Sequence, residues 1–85
     1  MNMQELDVQL KRGREIGFIF QNAHYYIAQR NGGFVLVEIV GTQEIDRSMR
    51  TSNCEAFIRD TEIMGLPLST IFSSCHEDVK QLTIY

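Results

Sequence analysis

The sequence predicts an α+β domain. Its sheet is mostly antiparallel, a three-stranded meander plus a C-terminal strand, with an N-terminal helix and two short helices packed on one face. Three observations predict it. Residues 15–41 hold three apolar runs, Glu15-Ile16-Gly17-Phe18-Ile19-Phe20, His24-Tyr25-Tyr26-Ile27-Ala28 and Phe34-Val35-Leu36-Val37-Glu38-Ile39-Val40, broken only by Gln21-Asn22 and Asn31-Gly32-Gly33. Aromatic and β-branched residues between such breaks describe hairpin-linked strands. Capped stretches of helical periodicity lie before and after this block, and the chain closes on Asp78-Val79-Lys80-Gln81-Leu82-Thr83-Ile84-Tyr85, a strand-like end.

The elements follow in order. Asn2 with Glu5 three residues on has the form of a capping box, and Met3, Leu6 and Leu10 share a helical face. Lys11 and Arg12 suit the negative end of a helix dipole and Gly13 a C-terminal stop, so a helix is expected over about 3–12. A first strand over about 15–20 puts Ile16, Phe18 and Phe20 on one face and Gly17 and Ile19 on the other. A second, over about 24–30, sets Tyr25 and Ile27 against His24, Tyr26 and Ala28. Asn31-Gly32-Gly33 supplies positive φ values for a tight turn into a third strand over about 34–40, apolar on both faces until Glu38. Such a strand lies centrally, is covered by helices, or meets another subunit.

Gln43-Glu44-Ile45-Asp46-Arg47 reads as a short edge strand whose charges discourage stray pairing. Ser52 with Glu55 repeats the capping signal ahead of a helix over about 53–60, with Cys54, Phe57 and Ile58 inward. Pro67 fits the first turn of another short helix burying Leu68, Ile71 and Phe72. Phe57 and Ile71 are expected to pack on Phe18 or Phe20.

Length and charge bound the rest. The chain of 85 residues makes one domain, and its 44% hydrophobic content suits a folded one. A net charge of −3 argues against a general nucleic-acid or anionic-membrane binder. Lys11, Arg12 and Arg14 cluster, but Glu5, Asp7 and Glu15 stand beside them. No run reaches the ~20 apolar residues of a membrane helix, and the polar start lacks the form of a secretory signal. With only Cys54 and Cys75, a cytoplasmic setting with both thiols reduced is expected.

The succession Gly13-Arg14-Glu15-Ile16-x-Phe18, the alternation at Tyr26 and Ile27, Gly33-Phe34-Val35-Leu36, a capped helix, Ile63-Met64-Gly65-x-Pro67-Leu68-x-x-Ile71-Phe72 and a terminal Ile84-Tyr85 resembles short uncharacterised proteins of Gram-positive bacteria, their phages and mobile elements. The resemblance implies a small bacterial or phage protein. It brings no activity and no site residues with it.

Chemistry-bearing patterns are sparse. Cys75-His76-Glu77-Asp78 is the one dense run of potential ligands, but a structural zinc site takes paired ligands, and Cys54 and His24 stand singly. Gly32-Gly33 lacks phosphate-cradling spacing. No catalytic residues, cofactor or metal ligands are therefore assigned, and the chain is not expected to be an enzyme. The expected function is a protein–protein interaction module, an inhibitor, accessory or immunity factor, with a protein partner and a homodimer as the associations. The expected surface is Phe34, Leu36, Tyr25 and Tyr26. A nucleic-acid-linked regulator and a small enzyme or metal protein centred on Cys75 and His76 are the alternatives.

Overall fold

The computed structural model describes residues 1–85. Helix α1 (Met3–Lys11) starts where the Asn2 side chain accepts a hydrogen bond from the Glu5 amide at 2.8 Å, and buries Leu6 and Leu10. Gly13 turns the chain at φ +81°, a conformation open to glycine at little cost. Strands β1 (Ile16–Phe20), β2 (Ala23–Arg30), β3 (Gly33–Val40) and β4 (Gln43–Asp46) follow as consecutive hairpins. Gln21 and Asn22 both take positive φ, as do Asn31 and Gly32, so the first two links are two-residue turns of the kind whose twist matches the strands.

Strand β7 (Lys80–Ile84) returns along the free side of β1 and completes an antiparallel sheet of order β4-β3-β2-β1-β7. A bulge between Gly17 and Ile19 accommodates Gln81, which has φ +48°. Helices α2 (Cys54–Asp60) and α3 (Leu68–Ser74) join α1 on one face. Between them a small hairpin, β5 (Glu62–Ile63) with β6 (Leu66–Pro67), turns at Met64-Gly65, both with positive φ. The α+β fold, with its meander, terminal strand and helices on one side, is the one the sequence predicts.

The core lies between the helices and the face of Ile16, Phe18, Phe20, Tyr25, Ile27, Phe34 and Leu36. Phe57 and Ile71 are fully buried, as expected, but the ring pairing differs. Phe57 sits against Phe34, with centroids 5.6 Å apart, while Phe72 meets Phe18 edge-on at 5.4 Å. Helix α2 covers the β3 side of the sheet and α3 the β1 side. Met3, expected inward, is 41% exposed at the first turn, where the helix overhangs the core.

Two caps also differ from expectation. Asn53, not Ser52, caps α2, accepting from the Ala56 amide at 2.8 Å. Pro67 occupies the position just before α3 rather than its first turn; φ −60° with ψ 149° suits that half-extended place equally. Asn53→Ala should therefore cost about 1 kcal/mol in urea unfolding, and Ser52→Ala within about 0.5 kcal/mol of nothing.

Strand β3 needs no neighbouring subunit to be buried. On its helix side Phe34 and Leu36 lie under the core, and on the other side Val35, Val37 and Ala28 form a second small cluster packed by Tyr26. Its outer edge is also occupied. Beyond β4, the Arg47 amide donates to the Leu36 carbonyl at 2.7 Å, and Phe34 and Thr51 exchange amide bonds at 2.9 and 3.1 Å. The Leu36 amide donates to Ser48 Oγ at 2.9 Å. Arg50 lies across Gly33, where a Cβ would stand 2.4 Å from its Cγ, so the absence of a side chain there lets the strap close.

Candidate interaction face

The helices leave one face of the five-stranded sheet open. Register places Glu44, Ile39, His24, Ile19 and Lys80 level with one another across it, one from each strand. Directly opposite residues in antiparallel strands point to the same side, so all five share the open face. The next level holds Asp46, Val37, Tyr26, Gly17 and Thr83. Ile39 is 38% exposed and Tyr85, beside Gly17, 66% exposed.

A polar network borders the β4 side. The Tyr26 hydroxyl donates to Glu44 Oε1, and Arg30 Nη1 donates to both Asp46 oxygens at 3.0 and 3.2 Å. Arg30 Nη2 lies 3.7 Å from Glu44 Oε1. The Glu44 bond, then burial, holds the Tyr26 phenol above its ordinary pKa, so it stays a neutral donor. This network closes over Val37, which is fully buried although no helix reaches it.

Of the four residues expected to form a surface, only Tyr26 reaches the open face. Phe34, Leu36 and Tyr25 point to the helices and are buried in the monomer. The physical reason is ordinary: the most apolar side chains are those the core takes first. The open face instead displays Ile19, His24 and Ile39, one each from β1, β2 and β3, and Tyr85 just past the end of β7. Alternation alone puts Ile19 and His24 opposite the core; only the register sets them level with Ile39.

The reactive side chains are dispersed. Cys54 is buried at the start of α2, and its thiol donates to Asp7 Oδ1 at 3.4 Å. Burial first, then the Asp7 carboxylate, pushes its pKa from 9.0 up to about 12. A thiol so placed is a poor nucleophile near neutral pH. Asp7 and Glu55 flank Lys11 at 3.1 and 2.6 Å and hold its ammonium protonated, so the basic cluster loses its first member to ion pairing. Cys75 ends α3, and His76, Glu77 and Asp78 form a 3-10 turn, where His76 Nδ1 sits 3.4 Å from the Ser73 carbonyl oxygen. No three His, Cys, Asp or Glu side chains converge as a metal-binding group. A groove of about 600 Å³ runs beside α1 and α2, lined by Met3, Asp7, Glu55, Ile58, Arg59 and Ser69. No helix is long and apolar enough to cross a membrane.

The two cysteines are unbridged, with Cys54 the more buried. Titration of the native protein with a thiol reagent at neutral pH should modify Cys75 quickly and Cys54 only on unfolding; rapid modification of both would contradict the packing of α2. Alkaline pH should also loosen the fold. The unfolded thiol ionises from about pH 9 while the native one keeps its proton to about 12, so stability falls as pH rises through that window. Cys54→Ala should flatten that fall. Compared with protein-family models, curated proteins and solved structures, the chain matches none.

Proposed function

We propose that this chain is a non-enzymatic protein-interaction module that works in the cytoplasm through the open face of its sheet. The observation that carries the reading is the composition of that face. It offers a level row with isoleucines at two of five positions, flanked by an acidic and a basic border. Exposed apolar side chains rimmed by charge are the ordinary make-up of contact surfaces. The suppressed Cys54 thiol and the dispersal of the other reactive groups favour binding over catalysis. The neutralised Lys11 weakens the case for a phosphate-binding patch. The resemblance to short proteins of Gram-positive bacteria and mobile elements supports the same reading, with inhibitor, accessory or immunity factor as the role.

The test is capture with immobilised protein and its Ile39→Lys variant from an extract of the cells of origin. A partner retained by the first and lost by the second, with equal unfolding midpoints, is the expected result. A partner held equally by both would move the working surface elsewhere.

A further inference from the structure

The two borders of the open face carry opposite, unmatched charge. On β4, Glu44 and Asp46 have one ion-pair partner between them, Arg30, so one carboxylate charge is left over. On β7, Lys80 Nζ donates to the Glu77 carbonyl at 2.9 Å and belongs to none of the ion pairs. Across the sheet between them the level row reads acid, isoleucine, histidine, isoleucine, base. Rotating such a row by half a turn about the direction of its middle strand lays acid over base and isoleucine over isoleucine. The row is its own complement.

We propose that the occupant of the open face is a second copy of this chain. It binds about a two-fold axis running along β2, with Glu44 against Lys80 of the second copy, Ile39 against its Ile19, and the two His24 side chains meeting at the axis. The proposal rests on the open face being the working surface and names what covers it. An unrelated partner would have no need of a mirrored order, whereas a two-fold contact requires one, because each patch must match itself. A second feature fits the same rotation. Tyr85 stands at the β1–β7 side, where its amide donates to the Glu15 carbonyl at 2.8 Å. Half a turn carries its exposed ring to the β3 side at the same level, over a shallow depression lined by Val35, Ser48 and Met49.

Size sets the strength. Five strands about 4.8 Å apart, with about 20 Å of each in contact, give a face of roughly 500 Å² per copy. The pair then buries on the order of 1,000 Å², below the range of stable complexes, so the dimer is a weak one. Sheets packed face to face cross at about −30°, and the long side chains of Glu44 and Lys80 span the resulting offset.

Sedimentation equilibrium from micromolar to about 1 mM protein tests it. The wild type should move from its 9.8 kDa mass toward twice that value. Glu44→Lys and Lys80→Glu should each weaken self-association by about tenfold, since each turns two attractions into repulsions. An equimolar mixture of the two variants should regain it. In the mixed pair one native contact is restored, and the two introduced charges meet with opposite sign. Bulk attraction cannot produce that recovery, because each reversal changes the net charge by two and both variants stay negative from a starting value of −3. Nor can contact within one chain, because positions 44 and 80 lie four strand spacings apart, about 19 Å, beyond a Debye length of about 8 Å.

A monomer at every concentration, single variants that associate like the wild type, or a mixture that stays monomeric would each overturn the proposal. Should Glu44→Lys unfold the β4 border by removing the Tyr26 acceptor, Lys80→Glu decides alone, since Lys80 touches only a carbonyl. A monomeric wild type that still captures another protein through Ile39 would overturn the second-copy assignment and leave the interaction reading standing. A dimer indifferent to Ile39→Lys as well as to both charges would contradict both.

Discussion

Phe57→Ala is expected to destabilise the domain by about 3–5 kcal/mol, enough to unfold much of a fold whose total stability lies in the range of about 5–15 kcal/mol. Phe57 is fully buried on α2, and its ring lies 5.6 Å from that of Phe34. Truncation removes the transfer energy of a benzyl group and leaves a void bounded by β3, which is held along its outer edge by β4 and the 47–51 strap and cannot collapse into the space. Urea unfolding followed by far-UV circular dichroism checks it. A midpoint unchanged from the wild type would mean that α2 does not seat on β3.

The second large effect is Leu36→Ala, expected to cost about 2–5 kcal/mol. Leu36 has no exposed surface and sits in the central core cluster, level with Ile27. Its neighbour on the opposite face of the same strand is the contrast: Ile39→Ala should cost less than about 1 kcal/mol, because that side chain already meets water. The pair of measurements separates the two faces of β3. Equal costs at both positions, or a cheap Leu36→Ala, would restore Leu36 to the surface and withdraw the open face described above.

Most of the scaffold was readable in the sequence because its signals are local. Asn22, Asn31 and Gly32 tolerate positive φ and lie between alternating runs, so the hairpins follow from turn chemistry. Leu6 with Leu10, and Leu68 with Ile71 and Phe72, repeat at helical spacing and are all buried. What the sequence concealed depends on residues far apart in the chain or on offsets of one position. Ser52 and Asn53 are both competent caps, and only the path of the chain selects the second. The β5–β6 hairpin has two residues per strand, too short for any period to show, and Met64-Gly65 was its only local mark.

The candidate surface was the least readable part, for a physical reason. The apolar run Phe34-Val35-Leu36-Val37 looks in need of a partner because its cover comes from elsewhere: the helical layer below, with Phe57 of α2 on Phe34, Tyr26 above, and Arg50 crossing Gly33. The residues on the open face, half-buried Ile19 with exposed His24 and Ile39, are ordinary one at a time. They become a surface only when two hairpin registers bring them level. Glu44 and Lys80 join that row through β4 and β7, whose places at opposite edges are a matter of strand order.

The most direct test of the open face as the working surface is site-specific photo-crosslinking inside the cells of origin. A photoreactive amino acid at His24 or Ile39 samples the open face; at Gln4 or Arg59 it samples the helical layer. Covalent products from His24 and Ile39, of a second copy or of another protein, with none from Gln4 and Arg59, are predicted. Products from Gln4 and Arg59 alone would contradict the account and assign the function to the helices.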